Sequence, residues 1–420
     1  MRILVLGSGA KDHAAAWWLS QSTFISELFV APGTPGTEDI ATNLPDTDPS
    51  DPKAVYRAII DNRIDMVFIG TEAPLLSGVK EYLRERGVVC CGATKEALRL
   101  EDDRAFSRAF TQRHSIPVPE NAVFSDRESL SSFLDEHKGV RYTIKSNSIT
   151  PSRIMLSSSD KEALLNYAEL LFTKGPVLVE RHVEGLHATA TLFVDKNGYL
   201  LLPLANEYTN VSKSQGTPTG GMGAIAPIPL DDDVEDEIKT KIIEPTLDGM
   251  REEGFAYYGV LTLSLVITDN GPVLVDYHVR LNDPATQAMV PIIKTDVIEI
   301  MEAMKENRLS TLKLETYNEA TVAVVLASKG YPLDPEKGNE IEGITNAFLM
   351  NTSDKPLVFI GAVRKDRDGR YFTDGGRCIT VVGRGATFEE ANEQAYTLIK
   401  EKNFSSLWYR DDIGNRFFNQ

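Results

Sequence analysis

The first hundred residues carry four short apolar runs, "RILVL" (2–6), "ELFVAPG" (27–33), "DMVFIG" (65–70) and "VVCCG" (88–92). Stretches of helical length separate them, the first reading "HAAAWWLSQS". Runs this short and this apolar suit strands that are buried on both faces. Helices between such strands imply a parallel sheet with helices covering it. The chain therefore opens with an α/β unit that ends near residue 100.

A chain of 420 residues is too long for one core, so two to four domains are expected. After the first unit, residues of about 94–113 read as one helix, stopped before Pro117. Residues 120–183 hold a small mixed unit: "YTIKS", "RIMLSS", a helix "KEALLNYAELLF", then "PVLVERHV". A larger segment, 185–315, contains the strands "HATATLFV", "GVLTLSLVI" and "PVLVDYHV". A last unit opens near residue 320 with "EATVAVVLAS". No internal repeat or low-complexity linker interrupts this order.

Charge narrows the partners. A net charge of −17 argues against a nucleic-acid surface and against anionic lipid, yet leaves room for an anionic small molecule held by local basic groups. The 3 cysteines, Cys90, Cys91 and Cys378, have no disulfide or zinc spacing. Reduced, buried thiols and a cytoplasmic home follow as expectations. "MRILVLGSG" reads as a strand rather than a signal peptide, and no apolar run has the length of a membrane span.

Four stretches carry chemistry. Gly7-Ser8-Gly9 stands at a strand-to-helix turn, followed by Asp12 and His13; such a turn admits an anion at the helix start, or is simply tight. The third glycine of a dinucleotide fingerprint is absent there. Glu72 follows the third strand, where open sheets place ligands, and is otherwise a solvated loop acid. Gly220, Gly221, Met222 and Gly223 form a glycine-rich loop whose amides can make an anion-binding concavity; a β-hairpin loop is the alternative. In "VLVDYHVRLNDPATQ", strand periodicity puts Asp276, His278 and Arg280 on one face, with Tyr277 and Val279 on the other. Three ionisable groups on one face are costly to bury unless they bind or pair. Asp276 with His278 can share a divalent metal, and Arg280 with Asp283 can form an ion pair.

The order of motifs resembles the glycinamide ribonucleotide synthetase (phosphoribosylamine–glycine ligase) family of the ATP-grasp superfamily. The motifs are Gly7-Ser8-Gly9 with Asp12-His13, Gly70-x-Glu72-Ala73-Pro74-Leu75, Gly92-x-Thr94-Lys95 and Thr219-Gly220-Gly221-Met222-Gly223-Ala224. Later come Arg280-x-x-Asp283-Pro284-x-Thr286-Gln287, Gly375-Gly376-Arg377 and Tyr409-Arg410-x-Asp412-Ile413-Gly414. The resemblance covers essentially the whole chain. It implies an ATP-grasp fold with an N-terminal Rossmann-like domain (1–102), a core (103–119 and 184–318), a small lid (120–183) and a C-terminal domain (319–420).

It also implies a reaction. ATP phosphorylates the glycine carboxylate, and the amine of phosphoribosylamine attacks the acyl phosphate, with magnesium between the phosphates. Carried over by position, Gly9, His13, Glu72, Gly220–Gly223 and Arg280 would bind the phosphoribosyl substrate. Arg280 and Asp283 would be catalytic, and Lys145, Glu180 and His187 would meet the nucleotide. Asp276 and His278 would take the metal. The partner is a phosphoribosyl small molecule, and the chain is expected to be a monomer or homodimer.

The sequence departs from the family pattern on the nucleotide side. The lid loop after Lys145 lacks glycine and contains Pro151 and Arg153. Glu180 is followed by Arg181 rather than a second acid, and Leu186 and His187 replace acids. Asn206-Glu207-Tyr208 replaces Asp-His-Lys. The metal pair, Glu and Asn in the family, is Asp276 and His278. Imidazole suits softer metals, so Mn²⁺ becomes a candidate beside Mg²⁺. Two readings stand: a ligase of this family with altered nucleotide handling, or a paralogue that binds or transforms a phosphoribosyl metabolite without ATP.

Overall fold

The computed structural model describes residues 1–148, 155–212, 217–255, 257–349 and 356–418. The opening sheet has five parallel strands. Arg2–Gly7 lies in the middle, with Glu27–Pro32 and then Thr42–Asn43 on one side, and Met66–Ile69 and then Val89–Cys91 on the other. Its winding reverses between Arg2–Gly7 and Met66–Ile69, so the turns after those two strands flank a crevice at the sheet's carboxyl edge. Ile3, Leu4, Val5 and Leu6 are all fully buried, as the unbroken apolar run requires. The first helix, Ala10–Ser20, is almost wholly buried. Its Trp17 meets Phe359 and its Trp18 meets Phe193, edge to face, which ties the first domain to the rest.

The helix expected over 94–113 is two helices, Arg99–Asp102 and Arg104–Arg113. Asp103 breaks it: its backbone is extended and its carboxylate caps the second helix at the amide of Phe106, 3.0 Å away. The break sends Glu101 to one place and Arg104 and Arg108 to another.

Residues 121–181 form a four-stranded antiparallel sheet, ordered Asn121–Phe124, Val177–Arg181, Tyr142–Ser146, Leu156–Ser158. The helices Arg127–Glu136 and Lys161–Phe172 give it a separate core around Leu130, Ile144, Leu164 and Val179. Pro151 and Arg153 lie outside the described residues. A second antiparallel sheet runs Tyr199–Leu201, Leu186–Val194, Gly259–Thr268, Gly271–His278. The third sheet joins distant stretches: Asn206–Glu207, Gly223–Ala226, Ala320–Ser328, Arg377–Gly385 and Leu357–Ile360. Gly223–Ala226 thus pairs with a strand beyond residue 318.

Strand Gly271–His278 contains one irregularity. Ser264 opposes Asp276 and Leu265 opposes Leu274, so Val275 is an extra residue, a β-bulge. Beyond it the alternation expected from sequence holds. Tyr277 and Val279 are 2% and 1% exposed in the core, each burial worth about 1.5–3 kcal/mol. Asp276, His278 and Arg280 face the other way.

Candidate active site

The charged face of that strand is compensated residue by residue. Asp276 receives Lys145 Nζ at 2.9 Å on Oδ2 and Arg104 Nε at 3.2 Å on Oδ1. Lys145 also reaches Glu180 Oε2 at 2.7 Å, and Arg108 holds Glu180 Oε1 at 2.6 Å. The bulge turns the Val275 carbonyl toward Lys145 and Arg108, which both donate to it. Three cations thus surround two carboxylates and leave one positive charge over. Burial disfavours the Asp276 carboxylate, but Lys145, Arg104 and Arg108 outweigh it and hold the acid well below the usual range. Arg104 and Arg108 had no counterpart in the reading of the sequence. Their signal was the Asp103 cap, which fixes the register of their helix.

His278 belongs to a different group. Its Nε2 lies 3.0 Å from Ser264 Oγ and its Nδ1 3.1 Å from Glu101 Oε1. Both ring nitrogens are engaged away from Asp276, so the geometry gives the pair no shared metal position. Among the described residues, no three His, Cys, Asp or Glu side chains gather as a metal site. Arg280, 4% exposed, is held by Glu101 at 3.0 Å and Glu72 at 3.1 Å. The expected ion pair of Arg280 with Asp283 is therefore not formed. Glu72 is half-buried rather than a free loop acid; it begins the short helix Glu72–Leu76 and faces Arg280.

Asp283 pairs instead with Arg377, 3.1 Å away. The same Arg377 Nη1 lies 2.6 Å from the Gly220 carbonyl and 2.9 Å from that of Asp283, stitching loop to turn. Gln287 donates to Asp283 Oδ1 at 2.9 Å. The loop amides are occupied: Thr219 bonds Thr209 O, Gly220 bonds Tyr331 Oη, Gly221 bonds Thr219 Oγ1 and Met222 bonds Tyr208 O. The expected open concavity of amides is thus replaced by a closed turn, three of its partners local and one, Tyr331, from far along the chain. Gly221, at φ +115°, is required by packing, since a Cβ there would lie 2.4 Å from Pro284 Cδ. Met222 is fully buried, and Gly223 starts the strand Gly223–Ala226.

Glu207 faces this corner. Burial and the neighbouring Asp283 push its carboxyl up to about 7, against the pull of Arg377 and Arg280. Arg377 entered the sequence reading only as part of a motif, and Glu207 only as a departure from one.

The N-terminal turn is also self-contained. Asp12 Oδ2 accepts the Gly9 amide at 2.9 Å, and Asp12 Oδ1 lies 2.8 Å from Lys11 Nζ. A Cβ on Gly7 would sit 2.2 Å from Asp12 Cγ. The Asp12 carboxylate thus fills the space over Gly7 and occupies the Gly9 amide itself. His13 is 1% exposed, and its Nδ1 accepts the Ile360 amide at 2.9 Å. Burial lowers its pKa to about 3, so it is a neutral link to the third sheet rather than a group facing the Gly220–Gly223 loop. His187 is exposed, on the strand Leu186–Val194. The structure therefore brings together Lys145, Glu180 and Asp276 in one cluster, Glu72, His278 and Arg280 in a second, and Gly220, Gly221 and Asp283 in a third.

Comparison with known proteins gives this arrangement a family. Models of the phosphoribosylglycinamide synthetase N domain, ATP-grasp (A) domain and C domain match residues 1–101, 102–286 and 321–416. The chain belongs to the phosphoribosylglycinamide synthetase family. A phosphoribosylamine–glycine ligase of Caldanaerobacter subterraneus is 32% identical over 422 residues, covering 98% of this chain and 99% of that one. The crystal structure of the phosphoribosylamine–glycine ligase of Thermotoga maritima superposes with a TM-score of 0.82 at 29% identity, over 98% of this chain and 100% of that one. The biotin carboxylase domain of a Hydrogenobacter thermophilus 2-oxoglutarate carboxylase, in complex with MgADP, shares the fold with a TM-score of 0.70 at 14% identity, over 97% of this chain. As in other phosphoribosylglycinamide synthetases, the fold is an ATP-grasp with N-terminal and C-terminal domains, from a family that uses ATP and Mg²⁺. No helix among the described residues is long and apolar enough to cross a membrane.

Proposed function

We propose that this chain is a phosphoribosylamine–glycine ligase, which makes an amide between glycine and phosphoribosylamine through an acyl phosphate formed with ATP. The observation that carries the reading lies in one stretch, residues 271–287. Its strand end faces the cations Lys145 and Arg104, and its following turn forms the Asp283–Arg377 corner. The first half suits phosphate chemistry and the second an amine substrate.

On the nucleotide side, Lys145 and Arg104 would neutralise phosphate oxygens, while Glu180 and Arg108 keep Lys145 in place. The donor set fits magnesium through Asp276, because this ion commonly takes one or two carboxylates and completes its shell with phosphate oxygens and water. His278 does not fit as a second ligand. When bound, the ion would neutralise charge on the transferring phosphoryl group. The phosphoribosyl group would lie against Gly220–Gly221, with Asp283 and Arg377 orienting it; Arg280 would act by holding Glu72 and Glu101. His187, exposed on the strand Leu186–Val194, would meet the nucleotide from the solvent side. In the segmentation into 1–102, 103–119 with 184–318, 120–183 and 319–420, the segment 120–183 would serve as the lid, while the sheet that pairs Gly223–Ala226 with Ala320–Ser328 joins 184–318 to 319–420. The protein works in the cytoplasm as a monomer or homodimer, on small molecules and not on nucleic acid.

The test is release of ADP from ATP by the purified chain, with the product followed by mass. Activity should require glycine and phosphoribosylamine together. ATP turnover that ignores the amine, or no turnover at all, would overturn the reading and favour the paralogue that has abandoned ATP.

A further inference from the structure

Six buried side-chain polar atoms among the described residues lack a hydrogen-bond partner, and two belong to the Asp283 corner: Glu207 Oε1 and Gln287 Oε1. Such atoms are rare because each costs desolvation without return, so their convergence points to a ligand. The Gln287 amide has a defined orientation. Its Nε2 must face the acceptor Asp283 Oδ1, 2.9 Å away, which leaves its Oε1 as the bare acceptor. Gln287 is fully buried, on the short helix Ala285–Met289. Glu207 lies on the strand Asn206–Glu207, with the Ala285 amide on its carboxylate. Two bare acceptor oxygens beside one anion, Asp283, suit a group that brings N–H donors, namely an amine.

We propose that Glu207 is the catalytic residue that takes the proton from the attacking amine, with Gln287 Oε1 positioning that amine. The assignment rests on the ligase reading above. In the step, the nitrogen lone pair forms a C–N bond to the acyl carbon. The bond from that carbon to the phosphate oxygen breaks, and phosphate leaves with the pair. The nitrogen then carries one proton too many, which passes to the Glu207 carboxylate. The charged groups facing Glu207 are Asp283 from the turn, Arg377 from the strand Arg377–Gly385 and Arg280 from the end of the strand Gly271–His278. Asp283 raises the proton affinity of Glu207, and the two arginines keep it from being permanently protonated. A general base is most effective when its pKa lies near the working pH.

The experiment compares the full chain with Glu207→Gln and Glu207→Asp. Amide formation is followed between pH 5.5 and 9, taken as a range of roughly two units about the expected midpoint. The wild type should lose activity on the acid side, with a midpoint near 7. Glu207→Gln should lower kcat by about 10²–10⁴-fold and abolish that acid limb, and Glu207→Asp should restore part of both. Glycine-dependent scrambling of oxygen label in ATP reports the acyl-phosphate half-reaction, which precedes the amine. It should stay within about threefold in Glu207→Gln, which separates loss of the base from loss of the fold. A Glu207→Gln variant that keeps its kcat or its acid limb, or that loses the half-reaction equally, overturns the assignment. A wild type that makes no amide at any pH overturns the ligase reading, and Glu207's role with it.

Discussion

Replacing Lys145 by methionine tests the charge cluster at its centre. The ammonium is 3% exposed, between Glu180 at 2.7 Å and Asp276 at 2.9 Å. Methionine keeps the apolar stem and removes the charge, leaving Arg108 on Glu180 and Arg104 on Asp276. Removing one partner of a buried pair costs about 3–5 kcal/mol, mostly because the other charge is left uncompensated. The two remaining arginines soften that loss, so roughly 2–4 kcal/mol is expected near pH 7. The pH sign is fixed by the carboxylates. In the wild type Asp276 is held well below its ordinary value, so its contribution is complete at pH 5 and is lost only as the medium becomes far more acid. In the variant the pKa of Asp276 rises, so protonation relieves the uncompensated charge, and the deficit shrinks as pH falls from about 8 to about 5. Denaturant unfolding at both pH values, read by tryptophan fluorescence and far-UV dichroism, measures this. Adding Asp276→Leu to Lys145→Met should recover part of the loss. A deficit below about 1 kcal/mol that is equal at both pH values would show that solvent already screens the cluster, and would refute the argument.

Further outcomes follow from other contacts. Asp276→Asn should abolish the dependence of ATP binding on Mg²⁺ in calorimetry, whereas His278→Ala should leave it unchanged and show no preference for Mn²⁺; the reverse would restore His278 as a ligand. His13 has a folded pKa near 3 and ordinarily titrates near 6.5, so the unfolded chain binds more protons between those values and stability rises with pH across them. His13→Gln should flatten that part of the stability profile, and a slope unchanged in the variant would mean His13 is not buried neutral. Arg377→Lys should weaken ribose 5-phosphate binding at least about tenfold, because a point charge cannot replace the guanidinium that spans Gly220 and Asp283; unchanged affinity would remove the corner from the substrate site.

What could be read in advance depended on how far away the partners lie. The parallel sheet was legible because its strands are continuous apolar runs. The split of Asp276, His278 and Arg280 from Tyr277 and Val279 was legible because period two survives beyond the bulge. The helix break was local too, but the expectation of one helix over about 94–113 took no account of Asp103 as a cap. The glycine loop misled for a different reason: its amides look open in sequence, and Tyr331, which closes Gly220, lies 111 residues away. Arg280 was paired with Asp283 on spacing and set against the phosphoribosyl substrate by the family resemblance, whereas Glu72 and Glu101 reach it from the first domain and its junction. Glu207 and Gln287 carried little signal by themselves. Their unusual state arises from burial against residues of three separate stretches.

The pairing of Gly223–Ala226 with Ala320–Ser328 also affects how the chain is made. Between those strands lie about 95 residues, roughly 5–20 s of synthesis at ordinary rates. During that interval the backbone edge of Gly223–Ala226 lacks its neighbour, and its Ala224, Ile225 and Ala226, fully buried at the end, stand open to other nascent chains. Arg377, which clasps the glycine loop, arrives later still. Ribosome-bound chains that stop short of residue 320 should therefore depend on holding chaperones, and a gene cut at that point should yield aggregates rather than a lone nucleotide-binding module.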